Sequence, residues 1–265
     1  MKLNDPAEGE LGACCADFYN HPIVSQLLDG IFHPGGLALS KLMADRMGVD
    51  SDSTVLDIAC GDGKTATYLA RSLGCSVSGI DASQEMIDSA VQVAEDLRVS
   101  DRTDFTVALA GKIPHDDNSF SAAISECSLC TFYDKNQAVQ EIKRILKHGG
   151  IFGMNDVTVQ NHEGLDEELR SLLGRVTCVA DALSANEYIH LFERSNFRLL
   201  SSSDHSDLLE DLARKAKGRA RFFREVGGGE DTMNKMSEAI RFIGLIEQQI
   251  ESGNIGYEMF IFQYL

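Results

Sequence analysis

Glycines and carboxylates are concentrated around one predicted turn of the chain. The group consists of Asp57, Gly61, Asp62, Gly63 and, twenty residues after Gly61, Asp81. Glycine is required where a ligand approaches the backbone closely or where φ is positive. A carboxylate about 20 residues after such a turn suits the hydroxyls of a ribose. The stretch therefore predicts a site for a ligand that contains a nucleoside.

Two ligand classes fit this spacing, and the charges of the turn favour one of them. Gly61, Gly63 and Ala66 satisfy the dinucleotide fingerprint, in which a pyrophosphate lies at a helix N-terminus. Asp57 and Asp62 would repel a pyrophosphate there, but they would attract the ammonium and sulfonium groups of S-adenosylmethionine. We therefore expect S-adenosylmethionine rather than a dinucleotide, with a purely structural turn as the remaining alternative.

The cysteines offer a second kind of chemistry, as soft ligands or as nucleophiles. They are Cys14, Cys15, Cys60, Cys75, Cys127, Cys130 and Cys178. An odd number in a chain expected to be intracellular argues against a disulfide framework. Cys127 and Cys130 form a CxxC motif without a second pair at zinc spacing, so we predict no structural metal site.

The composition excludes several classes of partner. The 265 residues carry 24 Lys and Arg against 41 Asp and Glu, a net charge of −17. Because nucleic acids and anionic membranes are bound by basic surfaces, we expect neither as a partner. No apolar run approaches the ~18 residues that span a bilayer. The acidic first ten residues do not resemble a signal peptide, so we expect a cytoplasmic protein.

Strand-like and helix-like runs alternate along the chain and must position these residues. The predicted strands are 53–59, 75–81, 104–109, 120–125, 151–157, 197–202 and 256–265. Helical patterns over 83–97, 136–146, 163–173 and 185–195 lie between them. Strands that alternate with helices of 10–15 residues indicate an α/β fold, a parallel sheet with helices on both faces.

The helical additions divide the chain into three parts. We expect an N-terminal helical lid at 1–50, a core formed by 51–202 with 256–265, and a helical insertion at 203–255. The insertion contains two long helical patterns, and we expect it to cap the substrate pocket. Its basic run, 214–224, is interpreted as a solvated helix face rather than as a nucleic-acid site.

Residues 53–157 resemble the class I S-adenosylmethionine-dependent methyltransferases. The resemblance implies a Rossmann-like sheet of seven strands whose last strand is antiparallel. It implies that the methionine part of the cofactor is surrounded by Asp57, Ala59, Gly61 and Gly63. Cys60 in the same turn is a further candidate contact to the cofactor, with a small structural filler of the turn as the alternative. The resemblance also implies that Asp81 holds the ribose, while the adenine is contacted by Ala82, Met86 and the backbone of Leu109 or Ala110. Tyr19 and Glu126 are further candidate contacts to the cofactor.

A closer resemblance links the chain to the arsenite methyltransferases. It is carried by Ile124–Cys127, Asp134–Leu146, Gly149-Gly150 and Thr177–Tyr188. It implies that Cys127 and Cys178 bind trivalent arsenic, a soft acceptor that thiolates match. The glycine-flanked cysteine of that family is replaced here by His33-Pro-Gly-Gly36, and Cys14 or Cys15 is a candidate substitute.

Two alternatives to a thiophilic acceptor stay open. The acceptor would be methylated on oxygen, nitrogen or carbon if His33 or Glu126 served as a base, and His115 and His148 are weaker candidates. The chain would be a non-catalytic protein if it bound S-adenosylmethionine without turnover. The expected partner is therefore a small molecule or a metalloid, and the sequence predicts no oligomeric state.

Overall fold

A seven-stranded sheet forms the centre of the computed structural model, which describes residues 15, 18–19, 21–30, 32–226 and 229–265. The strands are β1 (Thr54–Ile58), β2 (Ser76–Asp81), β3 (Thr103–Val107), β4 (Phe120–Glu126), β5 (Leu146–Val159), β6 (Phe197–Asp204) and β7 (Ile255–Tyr264). Their order is β3-β2-β1-β4-β5-β7-β6. Strands β1 to β5 pair in parallel, and β7 is antiparallel to both of its neighbours. The expected α/β fold is confirmed.

Helices cover both faces of the sheet. They are α1 (Pro22–Leu28), α2 (Gly36–Met47), α3 (Lys64–Leu73), α4 (Gln84–Leu97), α5 (Lys135–Ile145), α6 (Leu172–Val176), α7 (Ala185–Glu193), α8 (Ser206–Val226) and α9 (Glu230–Glu251). Successive residues of a strand point to opposite faces. Val55 of β1 accordingly packs in the same cluster as Leu69 of α3, whereas Leu56 packs with Ile142 of α5.

Two local predictions were wrong. The region 163–173 is not one helix but two 3₁₀ turns, His162–Gly164 and Glu167–Arg170, followed by α6. The side chains of Asn161 and Asp166 each cap a backbone N–H two residues on, and such local bonds compete with a continuous helix.

Strand β5 also begins earlier than expected, at Leu146. Its pairing with β4 shifts register between Phe120 and Ala122, which accommodates Gly149 and Gly150 as an irregularity within the strand. The predicted helix 136–146 therefore ends at Ile145.

The helices α8 and α9 lie between β6 and β7 in the sequence, at the position of the predicted insertion. Arg219 of α8 donates hydrogen bonds to the carbonyl oxygen of Leu27 (3.0 Å) and to Asp29 (2.7 Å), which ties α8 to the end of α1. Lys215 pairs with Asp211 at 2.6 Å, so part of the basic run is neutralised within its own helix. None of the helices in the described part of the chain is long and apolar enough to span a bilayer.

Candidate functional site

The turn after β1 brings a backbone segment against open space. Ala59, Gly61 and Gly63 all have positive φ, at 61°, 53° and 70°. A Cβ on Gly63 would lie 2.7 Å from the Cβ of Ala90, so close helix packing requires this glycine. A Cβ on Gly61 would meet no atom within 4 Å. Gly61 therefore presents its backbone to a space that a ligand can fill.

Two aspartates at the carboxyl ends of β1 and β2 frame this turn. Asp81 accepts hydrogen bonds from the backbone N–H groups of Gly61 and Ser83, both at 2.9 Å. Asp57 is 3% exposed, and its Oδ2 has no hydrogen-bond partner among the described residues. Burial, followed by the charge of Glu126, raises the pKa of Asp57 well above its usual value. A buried carboxylate oxygen without a partner is suited to a cationic ligand group.

A cavity of about 180 Å³, here called the strand-end cavity, lies at the carboxyl edge of the sheet. Its wall includes twelve of the sequence-predicted cofactor or substrate residues: Cys15, Tyr19, Ala59, Gly61, Asp81, Ala82, Met86, Leu109, Ala110, Glu126, Cys127 and Cys178. The predicted candidates thus meet at one edge, where the parallel strands β1, β2 and β4 end.

An adjoining cavity of about 210 Å³, the turn cavity, surrounds the methionine side of the predicted site. It is lined by His33, Asp57, Cys60, Asp62 and Glu126, among others. Gly63 lines neither cavity, so its contribution is the packing against α4 described above. Lys64 joins Asp62 (2.7 Å) to the carbonyl oxygen of Gly30 (3.0 Å) and so connects the turn to the N-terminal segment.

Glu126 is held by hydroxyl and amide donors from three other elements. Its side chain is 6% exposed. It accepts hydrogen bonds from Ser40 of α2 (3.0 Å), Thr65 of α3 (2.8 Å) and Asn155 of β5 (2.9 Å). Its Oε2 lies 3.5 Å from Nε2 of His33. This network fixes the carboxylate between the turn cavity and the strand-end cavity.

The cysteines after β4 and after α6 come together. Cys178 Sγ donates to the carbonyl oxygen of Cys127 at 3.0 Å, and both residues have positive φ, 64° and 52°. One potential metal-ligand atom from each of Cys127, Cys178 and Asp156 lies within 4.8 Å of the other two. Hydrogen bonds with Cys127 and Cys130, together with burial, raise the pKa of the Cys178 thiol. Burial likewise raises the pKa of Cys130.

Asp156 is the acidic member of this group and is 1% exposed. Its carboxylate accepts the backbone N–H groups of Cys130 (3.1 Å) and Val157 (2.8 Å). Burial raises its pKa to about 6. Cys14 lies outside the described residues, whereas Cys15 lines the strand-end cavity. Burial and the thiols of Cys178 and Cys127 raise the pKa of Tyr19.

A third cavity, the helix cavity, has a volume of about 590 Å³ and lies among α1, α8 and α9. It shares Tyr19, Phe32 and Cys127 with the strand-end cavity. Two of the weaker sequence candidates lie outside all three cavities. His115 packs edge-on against Phe120, and His148 packs against Tyr264.

Sequence reasoning missed the residues that orient Glu126. Ser40 and Thr65 belong to helices whose facing surfaces no local pattern specifies. Asn155 was accessible in principle, because it is the register partner of Glu126 in the parallel β4–β5 pair. Asp156 and Phe32 were also missed, the first because a buried aspartate within an apolar strand gives no distinct signal.

Residues 56–154 match the family model described as "Methyltransferase domain". The chain is 28% identical over 175 residues to Methyltransferase GfsG of Streptomyces halstedii, covering 65% of this chain and 62% of that protein. It is 26% identical over 188 residues to 27-O-demethylrifamycin SV methyltransferase of Amycolatopsis mediterranei, covering 71% and 69%.

Among solved structures, the [4+2]-cyclase SpnF superposes with a TM-score of 0.78 at 22% identity. The superposition covers 98% of this chain and 96% of that one. At this level of identity the likeness concerns the fold, and it includes the helices between β6 and β7 as well as the sheet.

Proposed function

We propose that this chain is a class I S-adenosylmethionine-dependent methyltransferase that methylates a small organic acceptor. The predicted enzyme class and cofactor are supported by the matching family model and by these relatives, whereas the closer resemblance to arsenite methyltransferases has no support among them. One observation carries the proposal: the helix cavity meets the strand-end cavity at Tyr19, Phe32 and Cys127. An acceptor in one chamber can therefore reach a methyl group presented from the other.

The residues around the two smaller cavities fit the cofactor. Asp57 offers an unpartnered buried oxygen to its ammonium group, and Gly61 leaves room for it against the backbone. Asp81 would accept ribose hydroxyls, and Met86 with Ala82 would flank the adenine. When bound, S-adenosylmethionine supplies an electrophilic methyl group on a sulfonium.

Glu126 and His33 are suited to handle the proton that the acceptor loses. The carboxylate is fixed by three donors, and the imidazole lies 3.5 Å away with its Nδ1 unpartnered among the described residues. As the acceptor gains the methyl group, its proton passes to Glu126 or His33. A positioned base of this kind contributes ~10²–10⁴-fold to a rate, and positioning alone contributes up to ~7–11 kcal/mol in favourable systems.

Two measurements test this proposal. Calorimetry with S-adenosylhomocysteine should give saturable one-to-one binding, and a screen with methyl-labelled cofactor should label at least one small organic molecule. Absence of binding at millimolar ligand would contradict the assignment of the cofactor. Binding without labelling of any acceptor would favour the non-catalytic alternative.

A thiophilic acceptor is the second candidate, and the thiol group of the strand-end cavity favours it. Cys127 and Cys178 bring their sulfur atoms to one place beside the predicted cofactor, and Cys15 lines the same cavity. Trivalent arsenic prefers thiolate ligands, so two or three of these side chains would hold it as substrate. Binding would displace the thiol protons. For Cys178, hydrogen bonds with Cys127 and Cys130, together with burial, otherwise disfavour loss of the proton.

Paired variants separate the two candidates. If arsenic is the acceptor, Cys127→Ser and Cys178→Ser should each abolish arsenite binding and methylation, whereas Cys75→Ser should leave both intact. Cys75 is a suitable control because it is buried at the start of β2, outside all three cavities. Unchanged arsenite methylation in the first two variants would exclude the thiophilic acceptor.

A further inference from the structure

We infer that the acceptor is a predominantly apolar molecule without an anionic group and that it is bound in the helix cavity. This inference rests on the proposed function and specifies the chemical class of its substrate. It is drawn from the lining of the cavity, the pairing of its charges and its contact with the strand-end cavity.

The wall of the helix cavity is built from aliphatic and aromatic side chains on three helices. Residues that represent each helix are Val24 and Leu27 of α1, Leu209 and Leu212 of α8, and Met236 and Phe242 of α9. A volume of about 590 Å³ falls inside the range of ~300–1,000 Å³ that is usual for small-molecule pockets. Burial of apolar surface is therefore the main source of affinity available to a ligand there.

The basic side chains of the described lining already have partners. Lys235 pairs with Asp231 at 2.8 Å. Arg241 forms a bidentate ion pair with Glu168, in which Nη2 donates to Oε1 at 2.8 Å. His21 uses Nδ1 to accept the backbone N–H of Ile23. A phosphate or carboxylate group on the acceptor would have to displace these carboxylates, so the lining selects against an anionic acceptor.

The position of the cavity connects it to the chemistry. Cys127 lies directly after Glu126, and its side chain forms wall in both the helix cavity and the strand-end cavity. A molecule whose apolar body fills the helix cavity would extend its reactive end past Cys127 toward Glu126. The helices α8 and α9 would then determine which substrates bind, while the turn after β1 binds the cofactor.

A homologous series tests the inference on the full chain saturated with S-adenosylhomocysteine. We expect the dissociation constants of hexanol, heptanol and octanol to fall about fourfold per methylene, the factor that corresponds to ~0.8 kcal/mol for each buried CH₂. Octanoate and octyl phosphate should bind at least tenfold more weakly than octanol. Equal or tighter binding of the anions, or the absence of any dependence on chain length, would overturn the inference.

Variants of the wall show whether this cavity is the binding site. Leu212→Asp should weaken the binding of octanol at least tenfold. In Ala239→Phe, affinity should stop increasing at a shorter alcohol than in the parent. Phe222→Asp is the matched control, because Phe222 lies on the same helix as Leu212 but is 58% exposed and outside the lining. If Leu212→Asp and Ala239→Phe both bind the alcohols like the parent, the alcohols bind elsewhere and the inference is wrong.

The cofactor analogue distinguishes failure of this inference from failure of the proposed function. If S-adenosylhomocysteine does not bind the parent chain, the proposed function itself fails. If it binds normally in the parent and in Ala239→Phe while the alcohols do not bind, only the substrate class is wrong.

Discussion

Nε2 of His33 lies 3.5 Å from Oε2 of Glu126, although in the sequence His33 comes before the first βα unit and Glu126 comes after it. The imidazole is carried by the segment before α2, and the carboxylate ends β4. The pair lies where the turn cavity adjoins the strand-end cavity, because Glu126 lines both.

Glu126→Gln removes the carboxylate charge but keeps the length of the side chain and an oxygen that accepts hydrogen bonds. We expect the turnover number to fall by ~10²-fold or more, as for loss of a positioned base, with a much smaller change in S-adenosylhomocysteine affinity. Ser40→Ala removes one hydrogen-bond donor to Glu126 but leaves the carboxylate charge. Its turnover number should therefore fall by less than that of Glu126→Gln. Equal turnover in the Glu126→Gln variant and the parent would rule out this role.

Asp81→Ala should weaken the binding of S-adenosylhomocysteine at least tenfold. The substitution removes the predicted acceptor for ribose hydroxyls and also frees the N–H of Gly61, which the carboxylate now holds at 2.9 Å. Calorimetry on the variant and on Asp104→Ala provides the comparison, since Asp104 is an exposed aspartate of β3. A dissociation constant within twofold of the parent value would remove Asp81 from the cofactor site.

Gly61→Ala and Gly63→Ala should separate ligand binding from stability. Both place a side chain at positive φ, which costs roughly 1–2 kcal/mol. Only Gly63→Ala also forces a Cβ against Ala90, which adds about 1–3 kcal/mol of overpacking. We therefore expect Gly63→Ala to lose more unfolding free energy than Gly61→Ala in urea titrations. For Gly61→Ala, we expect the loss of S-adenosylhomocysteine affinity to be large compared with its loss of stability. The reverse ranking would contradict the assignment of open space beside Gly61 to the cofactor.

S-Adenosylhomocysteine should protect Cys127 from alkylation. Cys127 is half-buried and lines the strand-end cavity, so a bound ligand would cover it. Peptide mass spectrometry after a short iodoacetamide pulse should find Cys127 labelled several-fold more slowly with ligand present. Cys75 and Cys178, which are buried, should react slowly in both samples. Unchanged labelling of Cys127 at saturating ligand would argue that the ligand binds elsewhere.

Asp156 should make the protein less stable as the pH rises. Burial raises its pKa from 3.8 to about 6, so the folded state binds the proton more tightly than the unfolded state. Its contribution to the free energy of unfolding is present below pH 4 and is lost between about pH 4 and 6, by about 3 kcal/mol. Urea titrations should therefore show the stability of Asp156→Asn rising relative to that of the parent over this range. A constant difference between the two proteins would mean that Asp156 titrates normally.

The sequence was sufficient for the sheet because each strand carries its own local pattern. The run at 53–59, the glycines that follow and Asp81 together predicted a strand, a turn and a second strand, and β1 and β2 lie within those bounds. Parallel pairing then explains why the candidates after β1, β2 and β4 share one cavity.

The parts that failed depend on contacts distant in sequence or on competing local bonds. The capping bonds of Asn161 and Asp166 divided an apparently amphipathic helix into short turns. The donors to Glu126 come from three elements, and no spacing rule connects Ser40 to a residue 86 positions later. The helix cavity likewise requires the packing of α1 against α8, which the separate amphipathic patterns did not specify.

The common wall formed by Tyr19 and Phe32 has a kinetic consequence. Because these two rings border both chambers, a displacement of both rings would widen the two chambers together. Departure of the spent nucleoside and departure of the methylated product would then follow a single opening event. Steady-state turnover on a good substrate would report the frequency of that event rather than the speed of the bond exchange.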